Sequence, residues 1–379
     1  MRRILIFSLT YYPRSIGGAE VAVKEITDRI SPTGIEFDMI TLGGHGPDVE
    51  KIGNVTVYRI GNAPQGATLP ALMKVLYAPF AAGKAVMLHR QKPYDVAWPI
   101  MASYAGFAAL IFTKLFSSVR MFLTIQEGDN FDRRDGVFNA LFRLIFKNAT
   151  RIQSISNFLA EWSRGMGATC PITVIPNGVD VSVFSTKISE QEAKELKEKL
   201  GKKEGDVFLV TTSRLVQKNG VADVIAALEF LPKNVKFLVI GSGELESELK
   251  AQTSRLNLED RVMFLGYMPH ADMAKYVQIS DIFIRPSLSE GLGNSFLEAM
   301  AAEIPVIATA VGGIPDFLVD GETGLFCEVN SPKSIAQKVE KLMKDRESRE
   351  YMVKNAKKMV LEKYQWEGIA GKMREWMVK

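Results

Sequence analysis

Short apolar runs alternate with amphipathic stretches along most of the 379-residue chain. Ile4-Leu5-Ile6-Phe7 is continuous and apolar, and a helical period follows from about Ala19 to Ile30. Phe37–Leu42, Val55–Tyr58, Asp95–Trp98, Met121–Ile125 and Arg151–Ile155 repeat the strand-like pattern. Such alternation predicts parallel sheets covered by helices. Ser156-Asn157 before Phe158 supplies a helix N-cap. The pattern restarts after Pro176-Asn177-Gly178-Val179-Asp180, a turn-rich break followed by a polar stretch to Gly205. Val207–Val210, Val235–Ile240, Val262–Leu265, Ile282–Ile284 and Pro305–Ala308 form the second series. The fold expected is α/β, with two doubly wound sheets in two domains, since the chain is too long for one ordinary core. Domains of this kind, joined near Pro176, would face each other across a cleft at the carboxyl ends of their strands, where open α/β sheets bind ligands.

Composition narrows the classes. With 47% hydrophobic and 24% charged residues the chain reads as a soluble globular protein. Cys170 and Cys327 are its only cysteines, too few for a disulfide framework or a Cys-rich zinc site, so a reducing, cytoplasmic compartment is expected. His45, His89 and His270 lack metal-ligand spacing. The apolar run after Met1-Arg2-Arg3 is too short for a secretory signal and reads as a first strand. Met101–Val119, the most apolar long stretch, carries Lys114 and reads as a core helix. Charge is uneven: residues 1–177 hold 19 Lys and Arg against 13 Asp and Glu, and the remainder 28 against 30. The basic half suggests attraction to an anionic surface or substrate, with ordinary surface charge as the plainer reading.

The candidate chemistry lies in the second series. Glu290-Gly-Leu-Gly-Asn-Ser-Phe-Leu-Glu298 sets two carboxylates around a glycine turn, between the apolar run Ile282–Ile284 and a helix-forming stretch, Ser295–Ala302. A strand, a glycine turn and a helix N-terminus offer free backbone N–H groups to an anion. The carboxylates accept hydrogen bonds from sugar hydroxyls. Thr211-Thr-Ser-Arg214-Leu-Val-Gln-Lys218-Asn-Gly220 follows the first strand of the same series. Arg214 and Lys218 there can clamp a diphosphate and meet its charge as it leaves.

Taken as a set, these motifs resemble the retaining glycosyltransferases of family 4, of GT-B architecture. Ser-Arg-Leu-x-x-Lys, Gly241-Ser-Gly243, Phe264-Leu-Gly266-Tyr267 and the spaced glutamates stand in the family's order. Pro305–Pro315, Asp320–Leu325, Gly17-Gly18-Ala19-Glu20 and Pro176–Asp180 extend the match over nearly the whole chain. The resemblance implies an acceptor-side domain at 1–177, rejoined by a last helix at 365–379, and a donor-binding domain at 178–364. That helix would turn Trp366, Ile369, Met373 and Trp376 towards the first domain.

The implied activity moves a hexosyl group from a UDP- or GDP-linked sugar to a glycan or lipid-linked acceptor, with retention. Glu298 would bind the ribose, and Glu290 would touch the sugar. Amides of Gly291, Leu292, Gly293, Asn294 and Ser295 would steady sugar and phosphates, with Arg214 and Lys218 on the diphosphate. Gly266, Tyr267 and Met268 would face the base, Gly243 would serve donor binding, and Gly17 and Gly18 would let phosphate approach the backbone. Many relatives carry a histidine where this chain has Gln126, which cannot act as acid or base at neutral pH. Donor phosphate then stands as the base, and Glu127 or Asp129 could contact the acceptor, although a solvated loop carboxylate is the plainer reading of each. No Asp-x-Asp occurs, and neither a metal nor another cofactor is expected. Two basic apolar stretches, 69–92 and 139–151, read either as helices packed on the sheet, the plainer reading, or as a face for an anionic bilayer; no nucleic-acid partner is expected. The competing readings are a nucleotide-sugar epimerase of the same architecture and a non-catalytic nucleotide- or glycan-binding protein.

Overall fold

The computed structural model describes residues 1–13, 17–31, 33–44, 47–61, 69–128 and 137–379. The chain divides into two compact units, one made of Met1–Asn177 with Trp366–Lys379, the other of Gly178–Gln365.

The first unit holds eight strands: β1 Arg2–Phe7, β2 Ile35–Leu42, β3 Val49–Ile52, β4 Val55–Ile60, β5 Val96–Pro99, β6 Arg120–Ile125, β7 Arg151–Ser154 and β8 Ile172–Val174. They lie in the order β3-β4-β2-β1-β5-β6-β7-β8. Every pairing is parallel except β3 with β4. The parallel sheets expected from the sequence are present, and this edge hairpin is an element the sequence reading did not contain. Val-Glu-Lys-Ile in β3 alternates exposed and half-buried positions, so it never shows a continuous apolar run. Its turn is fixed from outside: Asn54 Nδ2 donates to the carbonyls of Thr27, Asp28 and Ile30 at 3.0–3.2 Å.

The helices that accompany this sheet up to residue 177, among the described residues, are α1 Gly18–Arg29, α2 Ala71–Gln91, α3 Tyr104–Leu115, α4 Val137–Asn148 and α5 Asn157–Gly165. Ser156 caps α5, its Oγ accepting from the Leu159 N–H at 3.3 Å. α3 occupies only 12 residues of the apolar stretch 101–119, too few to cross a bilayer, and buries Ala105, Ala108, Ala109 and Phe112. Among the described residues α2 alone is long and apolar enough to do so. It instead packs one face on α3 and β2. Tyr77, Ala78, Ala81, Ala82, Ala85 and Leu88 are buried there, while Leu72, Val75, Phe80 and Met87 are 59–68% exposed.

The second unit has six parallel strands, β9 Val207–Thr212, β10 Val235–Ile240, β11 Val262–Gly266, β12 Ile282–Arg285, β13 Val306–Thr309 and β14 Leu325–Cys327, ordered β11-β10-β9-β12-β13-β14. Chain direction across the sheet reverses between β9 and β12, the switch point at which such sheets open a crevice at their carboxyl ends. Its helices are α6 Val181–Ser185, α7 Glu190–Lys199, α8 Val221–Ala227, α9 Glu246–Arg255, α10 His270–Gln278, α11 Asn294–Ala301, α12 Pro332–Lys344 and α13 Arg346–Lys363. β8 and β14 have three residues each, too short to register as apolar runs.

The last helix, α14 Trp366–Val378, belongs to the first unit. Trp366, Ile369, Met373 and Trp376 enter the core formed by β1, β2 and α1. The Trp376 ring lies 5.1 Å from that of Phe122, and Arg151 Nη1 donates to the Trp376 carbonyl at 3.1 Å. Both cysteines are free thiols.

Candidate functional site

The second unit brings most of the predicted residues to the carboxyl ends of its strands. β9 ends at Thr212, and the next turn carries Arg214, which is exposed, and Lys218, which is half-buried. Asn219 Nδ2 closes this loop by donating to the Arg214 carbonyl at 2.6 Å. The Lys218 carbonyl accepts from the Leu288 N–H at 2.6 Å, tying the basic loop to the segment that leads into Glu290. On the other side, the Gly313 N–H donates to the Glu290 carbonyl at 3.1 Å. Gly312 sits at φ +56, where an added Cβ would fall 1.9 Å from that carbonyl oxygen, so only glycine lets the two turns meet.

The glycine turn then enters α11. Gly293 is its N-cap, and no side chain caps the helix. Leu292 is buried, whereas Asn294 and Ser295 are half-buried in its first turn. Glu298 lies one turn further and is 8% exposed. Burial pushes its carboxyl above the usual carboxylate range, against the opposing charges of His270 and Arg285.

Arg285, the last residue of β12, was missed by the sequence reading, which ended the apolar run at Ile284. It is 6% exposed. Its Nη2 meets Glu290 Oε2 at 2.6 Å and its Nη1 meets Ser295 Oγ at 2.7 Å. The other Glu290 oxygen accepts from the Gly291 N–H at 3.1 Å. An arginine five positions before the first glutamate, closing a buried strand, was the available signal.

On the far side of β9, the Gly241 N–H donates to the Gly266 carbonyl at 2.8 Å, and the Leu215 N–H to the Ser242 carbonyl at 3.0 Å. Gly243 lies in the turn that opens α9, its carbonyl accepting from Glu246 at 3.2 Å. Tyr267 is 67% exposed and Met268 half-buried, just before α10. Hydrogen bonds thus link the two basic residues to the turn of Glu290, and link Gly266 to the turn before Gly243. The hydroxyls of Thr211, Thr212 and Ser287 are buried in this region without a protein partner.

In the first unit, Gly17 and Gly18 open α1. The Gly17 N–H donates to Glu20 Oε2 at 3.0 Å, while Glu20 Oε1 accepts from the Thr10 hydroxyl at 2.6 Å. Among the described residues, a Cβ on Gly18 would meet nothing within 4 Å. Gln126 follows β6, with its Oε1 3.2 Å from Asn177 Nδ2. Glu127 corrects the solvated-loop reading: it is 7% exposed, and its oxygens accept from the backbone N–H groups of Ala102 at 2.6 Å and Gln126 at 3.0 Å. Asp129 lies outside the described residues.

Two family models match the chain, "Glycosyltransferase Family 4" over residues 16–183 and "Glycosyl transferases group 1" over 192–359. An uncharacterized glycosyltransferase of Methanocaldococcus jannaschii is 27% identical over 378 residues, covering 97% of this chain and 96% of that protein. N-acetyl-alpha-D-glucosaminyl L-malate synthase of Bacillus anthracis is 26% identical, covering 96% and 94%. Among solved structures, sucrose-phosphate synthase of Thermosynechococcus elongatus has the same fold, with a TM-score of 0.86 at 21% identity over 100% of this chain and 98% of that one.

Proposed function

The chain belongs to the family 4 glycosyltransferases of GT-B fold, and from that premise we propose that it moves a hexosyl group from a UDP- or GDP-linked sugar with retention of configuration. The observation that carries this reading is the hydrogen-bonded course from Lys218 through Leu288 to Glu290, with Glu298 eight residues on, at the switch point of the second sheet. Glu298 takes the ribose hydroxyls and Glu290 those of the sugar. The uncapped amides at the start of α11, and the positive end of its dipole, take phosphate oxygens. Gly266, Tyr267 and Met268 line the base. As the bond from the anomeric carbon to the diphosphate oxygen breaks, Arg214 and Lys218 meet the growing charge. The acceptor oxygen bonds to that carbon on the same face, and its proton passes to the departing phosphate. Two cations on one loop serve in place of a metal.

We further propose that the first unit docks on an anionic membrane, at the cytoplasmic face, and takes a lipid-linked acceptor there. α3 packs against both α2 and α4. None of the three contains an acidic residue, whereas Lys74, Lys84, Arg90, Lys114, Arg143 and Lys147 lie on them. With those six set aside, residues 1–177 balance at 13 cations and 13 acids, so the basic excess of that half sits on these helices. Exposed in addition to those of α2 are Ile111 and Leu115 of α3 and Leu141 and Leu144 of α4, at 40–64%. Apolar side chains enter the interface while lysines meet anionic headgroups.

The test is release of UDP or GDP from a panel of hexose donors, with and without lipid and soluble acceptors and in the presence of EDTA. Acceptor-dependent release that survives EDTA is expected. Nucleotide binding without turnover on the whole panel would overturn transfer, and loss of activity in EDTA restored by magnesium would overturn metal independence.

A further inference from the structure

We infer that Arg285 is the positioning residue of the donor site, holding Glu290 and the first turn of α11 in one arrangement through a single buried guanidinium. The inference deepens the sugar-transfer reading and rests on it.

Strand alternation decides which way the side chain points. Ile282 and Ile284 face the main core of the unit with Leu209. Phe283 and Arg285 therefore project from the opposite face. Phe283 meets Phe296 of α11 there, ring to ring at 5.6 Å. The Arg285 guanidinium lies 4.3 Å from the centroid of the same Phe296 ring. The backbone makes room for it: Gly293 is held at φ +93, and a Cβ there would come within 2.9 Å of Arg285 Nη2 and 2.6 Å of the Phe296 ring.

From this position one planar group serves several others. Nη2 anchors one Glu290 oxygen and Nη1 anchors Ser295, while the Glu298 carboxylate lies within its electrostatic reach. Two acids of opposite assignment, sugar and ribose, thus share one cation. A bidentate fork can face Glu290 and Ser295 at once because its donors are fixed relative to each other. An ammonium carries the charge without that geometry. With one oxygen on Arg285 and the other on the Gly291 amide, Glu290 is fixed as a hydrogen-bond acceptor, its remaining lone pairs available to sugar hydroxyls. Leaving Glu290 without its cation would free its carboxylate to turn, and the sugar would lose orientation while the nucleotide kept its own partners.

The test compares Arg285→Lys, Arg285→Gln, Glu290→Gln and the double variant Arg285→Lys/Glu290→Gln with wild type, using UDP-glucose and GDP-mannose turnover and calorimetry with free UDP and GDP. Arg285→Lys should lower kcat/KM about tenfold or more, chiefly in kcat, with free-nucleotide Kd within about threefold of wild type. The double variant should be no worse than Glu290→Gln alone, because both changes remove one arrangement. Arg285→Gln should fall below Arg285→Lys; where it does not fold, the lysine variant and the cycle still decide. A merely structural role would weaken free-nucleotide binding as much as turnover. The inference alone is overturned if wild type transfers sugar and Arg285→Lys stays within about twofold of it, or if the two losses multiply in the double variant. Wild type that turns over neither donor nor any other on the panel would overturn the sugar-transfer reading and this inference with it.

Discussion

The two units are each built on a mainly parallel sheet and differ in what they show to their surroundings. On α2, α3 and α4 of the first, large apolar side chains stand exposed among cations with no acid between them. On α7, α9, α12 and α13 of the second, cations and acids alternate, pairing four residues apart as Lys194–Glu198, Lys250–Glu246, Lys344–Glu340, Arg346–Glu350 and Lys358–Glu362. Exposed pairs of this kind contribute little stability and serve mainly to keep a helix face hydrated. Four helices of the second unit thus present mixed charge to water, whereas three of the first present apolar side chains among cations alone. On the function proposed above, the difference gives location to the first unit and donor chemistry to the second, and it is open to being broken from either side.

The largest effect should come from Lys218→Ala, which removes a cation proposed to meet the charge of the departing diphosphate. We expect kcat to fall by about 10²–10³, with donor KM and vesicle flotation nearly unchanged. An unaltered kcat would remove Lys218 from the reaction. Next, Phe80→Glu replaces a 65%-exposed ring on α2. Losing that burial at about 1.5–3 kcal/mol should cut partition onto anionic vesicles tenfold or more, at unchanged thermal stability and free-nucleotide affinity. Equal flotation of the variant and wild type at low salt would break the surface half of the comparison.

Glu298→Ala should weaken free UDP or GDP binding by about 1–3 kcal/mol in calorimetry, leaving flotation intact. The smallest effect concerns pH. Burial raises the Glu298 carboxyl above its unfolded value, so ionising it on folding costs stability. That cost is absent below the ordinary carboxylate range and grows as pH rises towards the folded value. Glu298→Gln should therefore raise the melting temperature of the unliganded protein by a few degrees at neutral pH and leave it unchanged near pH 4. A gain that does not vary with pH would contradict burial of the charge as its cause.

Much of the architecture was readable because buried parallel strands leave unbroken apolar runs. Ile4–Phe7 and Val235–Ile240 lie within β1 and β10 for that reason. β3 was unreadable because its residues are half in water, and β8 and β14 because three residues make no pattern. The glutamate and lysine positions were legible since a turn and a helix start fix them locally. Glu127 was not, because its partner Ala102 comes from 25 residues away. Arg285 stands close in sequence to its partners Glu290 and Ser295, and was passed over because it closes an apolar run as a charged residue. Local composition marks such residues as solvated, and tertiary contacts bury them.

The Val179 N–H donates to the Tyr364 carbonyl at 2.7 Å, and Val179 bridges Gln365. The second unit thus begins and ends at neighbouring points of backbone, stitched together before the chain leaves it for α14. It has the form of a cassette inserted into the first unit, with both ends at one port. On the function proposed above, grafting residues 178–365 as one piece would exchange donor preference between relatives without cutting either sheet.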